Sequence, residues 1–167
     1  MFTVLDYLLS AGRLLPMPFE TPYHHANRIR NLDPDSYGHS VWKMQKRGVV
    51  KVISKNGNKF LTITKKGELQ VLLEKARLPG KKIWDGKWRL VMFDIPESSK
   101  DKRSVFRSLL KSNNFYKLQA SVYISPFPLN REAIRFLQES MLIGYIRILR
   151  VDEMDNDKNL KKRFGLK

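Results

Sequence analysis

The apolar periodicity of this chain breaks at Pro79-Gly80, with Lys81-Lys82 directly behind, and restarts on the far side from Trp84. Proline and glycine are the strongest local punctuation a sequence has, so this step divides the 167 residues into two small units instead of one larger one. Each half exceeds the ~55 residues that suffice for an independent core. The expected organisation is a first domain over 1–78, a linker over 79–84 and a second domain over 85–167.

Both halves are cationic. Residues 1–82 hold 15 Lys+Arg against 6 Asp+Glu, and the remainder holds 17 against 10, within a net charge of +16. Such an excess calls for a polyanionic partner, most economically nucleic acid. At 42% apolar residues the chain can still bury its cores, which excludes a disordered polycation. The absence of cysteine excludes a disulfide framework, a thiolate zinc site and a cysteine nucleophile. The apolar runs fall far short of the ~20 residues that cross a bilayer. Met1–Leu15 contains Asp6 and has no cationic lead, unlike a signal peptide. A cytoplasmic protein with no membrane partner is expected.

In the first half, Phe2, Leu5, Leu8, Leu9 and Leu15 mark one face of a helix that Pro16, Pro18 and Pro22 stop. A short second helix is expected over Tyr23–Arg30. A third, capped by Asp33 or Asp35, runs through Val41, Trp42 and Met44 to Gly48, with Lys43, Lys46 and Arg47 in its last turns. Val49–Ser54 and Lys59–Thr64 are β-prone runs around Lys55-Asn56-Gly57-Asn58, a hairpin signal. Lys65–Arg77 returns to helix, with Leu69, Leu72, Leu73 and Ala76 on one side. Helices, a helix with a basic end, then a lysine-tipped hairpin is the order of a winged helix-turn-helix. Ser36, Tyr37, His39, Ser40 and Lys43 are then candidates to reach base edges, and Lys46, Arg47, Lys55 and Lys59 to neutralise phosphates of double-stranded DNA. The competing reading is a solvated basic face on a protein-binding domain.

In the second half, Trp88–Ile95 is an apolar run closed by Pro96, expected as a central buried strand. Ser98 or Ser99 caps a helix with Val105, Phe106, Leu109 and Leu110 on one face. Tyr116–Ile124 alternates, with Tyr116, Leu118, Ala120, Val122 and Ile124 on one side and Lys117, Gln119, Ser121 and Tyr123 on the other. It is long enough to form two strand segments. Asn130 caps a helix with Ala133, Ile134, Leu137 and Met141 inward, and Tyr145–Val151 is a closing strand. The order βαββαβ is ferredoxin-like, and the fold class is α+β.

Trp84-Asp85-Gly86-Lys87-Trp88-Arg89, Phe93-Asp94-Ile95-Pro96-Glu97, Phe115-Tyr116-x-Leu118-Gln119-x-Ser121-Val122-Tyr123 and Pro126-Phe127-Pro128 resemble the core of the PaaX-like transcriptional regulators. Arg163-Phe164-Gly165-Leu166 resembles the tail of short chains of this type. The resemblance implies a winged helix followed by a domain similar to CRISPR-associated protein two, paired into a homodimer on duplex DNA, with no cofactor required for binding.

The same resemblance offers an alternative. In the nuclease-like relatives an aspartate at the end of the first strand is the proposed metal ligand, and Asp94 matches it. Two copies of Asp94 across a homodimer would hold Mg²⁺ or Mn²⁺ for phosphodiester hydrolysis, or the protein would act as a subunit of a CRISPR adaptation integrase. The plainer reading is that Asp94 caps the turn before Pro96 and pairs with Arg89 or Lys87. The adjacent His24 and His25 read as surface residues. Asp152, Glu153, Asp155 and Asp157 lack the glycine and closing glutamate of a calcium loop and read as a solvated turn.

Overall fold

The computed structural model describes residues 41–55, 58–80 and 83–166, without the side chains of 55 and 58–60. The helices expected over Phe2–Leu15 and Tyr23–Arg30, the Asp33 or Asp35 cap, His24, His25 and the Asn56-Gly57 turn lie outside the described residues. The chain divides into two compact units, Met1–Val71 and Leu72–Lys167. Among the described residues no helix is long and apolar enough to cross a membrane.

In the first unit, helical residues 41–46 (α1) lead into an antiparallel hairpin of β1, Val50–Lys55, and β2, Asn58–Ile63. The ladder runs from Val50↔Ile63 to Lys55↔Asn58, the register of a two-residue connection. Each strand lies one residue from its expected place because Val49 finishes one helix and Thr64 opens the next. Gly48 (φ +70) donates its N–H to Gln45 O at 2.8 Å and Val49 donates to Met44 O at 3.1 Å, the paired bonds of a Schellman end. Thr64 caps the next helix, α2 (Lys65–Ala76): its Oγ1 accepts from Gly67 N at 3.2 Å and donates to Gly48 O at 2.7 Å. The core is Val49, Val50 and Val71, with Met44, Leu61 and Ile63 against it. A Cβ on Gly67 would stand 2.2 Å from Val49 O, so α2 approaches the hairpin root too closely for any side chain. Val71 was not in the expected stripe on α2, whereas Ala76 is buried as expected. The helix is apolar on more than one side because its early turns cover the hairpin. The described part of this unit holds a helix, a hairpin and a helix; the rest of the expected winged helix lies outside it.

In the second unit β3 (Trp88–Phe93) is central, as its apolar run implies. It is antiparallel to β5 (Val122–Ser125) on one side and to β6 (Ile146–Val151) on the other, and β4 (Tyr116–Gln119) lies beyond β5. The order β4-β5-β3-β6, with α3 (Lys100–Ser112) and α4 (Arg131–Glu139) as the crossovers, is compatible with the ferredoxin-like arrangement. Val91 and Phe93 face α3, where Phe106 meets Phe93 edge-on with centroids 5.1 Å apart. Trp88 points the other way and is covered by Phe164 of α5 (Lys158–Phe164) and by Trp84, each with its ring centroid 5.9 Å away.

Four local expectations are corrected. Tyr123, grouped with Lys117, Gln119 and Ser121 by simple alternation, keeps the side of its cross-strand neighbour Lys117 but is buried against Phe93, because β5 is an inner strand on which Tyr123 and Ile124, on opposite faces, are both buried. Met141 is 82% exposed instead of inward, because α4 ends at Glu139 and Met141 sits beyond it at φ +58. Ser99 occupies the α3 N-cap but makes no capping hydrogen bond, since a 3₁₀ turn over Glu97–Ser99 precedes it. Residues 158–164, which carried no expected helix, form α5 with Gly165 (φ +65) behind it. Asn130, in contrast, caps α4 as expected, accepting from Ala133 N at 2.6 Å.

Candidate nucleic-acid interface

Met44 packs against the Val49, Val50 and Val71 core, Val41 three residues before it is half-buried, and the other side of α1 is exposed. Trp42, Lys43, Lys46 and Arg47 are exposed there. Four residues apart, Trp42 and Lys46 stack, with the ammonium 4.8 Å from the ring centroid. The Schellman end consumes the last helical carbonyls, and Lys66 Nζ takes Arg47 O at 2.7 Å, so the basic side chains themselves are not needed as caps. Two residues later β1 starts, with Val50 in the core and Lys51 exposed. Three cations and an indole thus occupy the outer side of one helix end beside a hairpin. Chemically this surface can neutralise phosphate oxygens and lay an aromatic face against sugar or base.

Of the predicted contact residues, the structure places Lys43, Lys46 and Arg47 together at the surface of α1. Ser36, Tyr37, His39 and Ser40, and the side chains of Lys55 and Lys59, lie outside the described residues. Trp42 and Lys51, exposed near Lys46 and Arg47 in the chain, were not among the expected candidates. The signal for Trp42 was available: it stands out of phase with the Val41 and Met44 spacing and one turn before Lys46.

Asp94 follows β3 and is exposed, its N–H donating to Tyr145 O at 2.9 Å. It lines an open depression of about 460 Å³ with Met92, Ser121, Val122, Tyr145 and Arg147. The expected pairing with Arg89 or Lys87 is not made. Five residues of strand separate Arg89 from Asp94 by about 16 Å, whereas the turn at Gly86 (φ +79) brings Asp85 to Arg89 at 2.5 Å. Lys87 instead pairs with Asp152. These cations hold the Asp85 and Asp152 carboxyls below the usual carboxylate range. Glu97, the other acid of the motif, is turned to Arg103 and Lys100.

Among the described residues no three His, Cys, Asp or Glu side chains gather as a metal site. One carboxylate in a depression that Arg147 also lines does not fit a divalent ion within a single chain, since such sites rely on several oxygen ligands. Two of the four acids after β6 are taken up by structural partners. Besides Asp152 with Lys87, Asp157 pairs with Lys161 at 3.0 Å and accepts the Trp88 indole N–H at 3.2 Å, which together hold its carboxyl low.

The side of the sheet away from α3 is covered by α5 at Trp88 and is partly apolar and open beyond it. Met92 pairs across the ladders with Val122 and Arg147, and Leu90 with Leu149. Met92 and Leu149 are exposed.

Residues 81–162 match the family model described as the PaaX protein central Cas2-like domain, so the resemblance read from the motifs of the second half holds for that domain. The match begins behind α2 and leaves the first unit outside it. No curated protein matches the chain.

Proposed function

With a PaaX-type central domain as its premise, we propose that this chain is a PaaX-like transcriptional regulator that binds double-stranded DNA as a homodimer. The observation that carries the reading is the outer side of α1: Lys43, Lys46 and Arg47 are exposed on the helix that leads directly into a hairpin. In a winged helix this element enters the major groove and the hairpin follows the backbone. The open sheet side around Met92 and Leu149 supports pairing of two copies through the second unit. Two-fold symmetry then requires half-sites about one helical turn, ~10 base pairs, or a multiple apart.

The test is selection of duplex DNA by the intact chain, followed by footprinting. A protected pair of inverted half-sites is expected. Binding of single-stranded nucleic acid alone, or a protein that stays monomeric on DNA, overturns the reading.

The exposure of Asp94 in a domain with this match favours metal-dependent nuclease action as the second reading. Its second carboxylate would have to come from another copy. Cleavage of DNA or RNA that needs Mg²⁺ or Mn²⁺ and is abolished in Asp94→Ala selects that reading, and equal background from both proteins removes it.

A further inference from the structure

Apart from the hollow at Asp94, the second unit carries another depression, of about 430 Å³, that the edge strand β4 and α5 both line. Asn114, Phe115, Tyr116, Phe127, Arg163 and Phe164 make its walls. Four of these are aromatic, one brings a guanidinium and one an amide, and none is acidic. The volume falls in the range of small-molecule sites, roughly 300–1,000 Å³.

Backbone devices hold the lining residues, so the depression is formed before any ligand arrives. Behind α3, Asn114 takes φ +62 and its N–H donates to Lys111 O at 3.1 Å, while Phe115 N donates to Leu110 O at 2.9 Å. Phe115 is thereby buried. Phe127 stands between Pro126 and Pro128, and its N–H donates to Ser125 Oγ at 3.1 Å. At the finish of α5, Gly165 N donates to Lys162 O at 3.3 Å and Leu166 N to Lys161 O at 2.9 Å. These bonds satisfy terminal carbonyls that would otherwise repel an anion. Phe164 is anchored on Trp88.

Arg163 is exposed, and its guanidinium carbon lies 3.8 Å from the Tyr116 ring centroid. The ring takes the face of that group and leaves its N–H edge to an acceptor. No acid lines the depression to fill the place. A planar fork of donors fits the paired oxygens of a phosphate. The aromatic walls suit a flat apolar partner. The Asn114 amide brings both a donor and an acceptor, which the edge of a heterocyclic base answers and a plain hydrocarbon ring does not.

We propose that this depression binds a nucleoside monophosphate, with the base against the Phe127 and Phe164 rings and the phosphate on the Arg163 fork. One guanidinium suits one phosphate. The site lies wholly within the second unit and takes two of its residues from beyond residue 162, where the family match ends. It stands apart from the DNA reading, and a chain that binds no duplex would still carry it.

The test is a ligand-observed NMR titration of the intact chain at about 150 mM salt, where exposed charges are largely screened. The probes are adenosine 5′-monophosphate, adenosine, inorganic phosphate and benzoate. The monophosphate should bind at least about tenfold more tightly than each of the other three. Arg163→Lys keeps the charge and loses the fork, and should weaken the monophosphate about tenfold while leaving adenosine unchanged. Phe127→Ala should weaken monophosphate and adenosine by a similar factor. Should that variant fail to fold, Phe127→Leu keeps the apolar volume without the ring and takes its place. Inorganic phosphate binding as tightly as the monophosphate reduces the site to charge attraction and overturns the proposal. Benzoate binding as tightly overturns the nucleoside assignment, and wild-type affinity in both variants overturns the location.

Discussion

Two helix ends in this molecule are built alike and set in different surroundings. α1 finishes with Lys43, Lys46, Arg47 and Gly48, and α5 with Lys161, Lys162, Arg163 and Gly165. Both glycines are left-handed, and both ends close with Schellman bonds, Val49 N to Met44 O and Leu166 N to Lys161 O. Each end even sets a lysine over a tryptophan, Lys46 over Trp42 and Lys161 over Trp84. The surroundings differ. At α5 the cations have internal partners: Lys161 holds Asp157, and the Arg163 guanidinium lies 3.8 Å from the Tyr116 ring centroid. Phe164 packs on Trp88, so the helix serves as a cover for the sheet. At α1 the basic side chains line the outside of the helix. Cation count therefore does not distinguish the two ends; the acid paired with Lys161 and the packing of Phe164 on Trp88 do.

The sharpest way to break this comparison is to remove the surface that α5 covers. Trp88→Ala deletes a side chain that is 1% exposed between Trp84 and Phe164, and should cost about 3–5 kcal/mol in denaturant unfolding. A loss below about 1 kcal/mol would mean that α5 does not hold the sheet.

Charge removal separates the two ends directly. Lys46→Ala with Arg47→Ala should weaken duplex binding and reduce the salt slope of log K by about 2, with the melting temperature unchanged. Lys161→Ala with Arg163→Ala should do the reverse, lowering the melting temperature and leaving the salt slope alone. Equal unfolding by both pairs would erase the distinction.

The glycines test the similarity rather than the difference. Nothing stands within 4 Å of a Cβ built at Gly48 or Gly165, so Gly→Ala adds only left-handed backbone strain, about 1 kcal/mol at each. Unequal costs, read from paired melting curves, would show that the two ends are not equivalent.

The smallest expected effect is acid sensitivity confined to α5. Lys161 and the Trp88 indole depress the Asp157 carboxyl, so the folded state binds its proton less readily than the unfolded chain does. Its contribution is complete above the ordinary carboxylate value of 3.8 and is lost as pH falls through the depressed folded value. Tryptophan fluorescence of the native protein followed downward from pH 5 should change in that range, and Asp157→Asn should abolish the change.

These two ends also show what the sequence made legible. Gly48 could be read as a helix stop because a lone glycine behind a basic turn has one common use, and the Asn-Gly hairpin and the apolar run of β3 are equally local signals. The ferredoxin-like order followed from elements of strong periodicity. The role of α5 could not be read, because the pairing of Phe164 with Trp88 and of Asp157 with Lys161 and Trp88 links residues up to 76 positions apart. Tyr123 and Met141 were misplaced because periodicity alone shows neither that β5 is an inner strand buried on both faces nor that α4 stops at Glu139. For the candidate interface, residue type identified Lys46 and Arg47, but only the geometry separates them from the equally basic Lys161 and Arg163.

The most direct measurement is the affinity of the intact chain for its selected duplex between about 50 and 200 mM salt. With roughly six phosphates neutralised, log K should fall linearly with log salt at a slope of about −5. A slope near zero, or no duplex binding at the lowest salt, would contradict the assignment of the α1 surface to DNA.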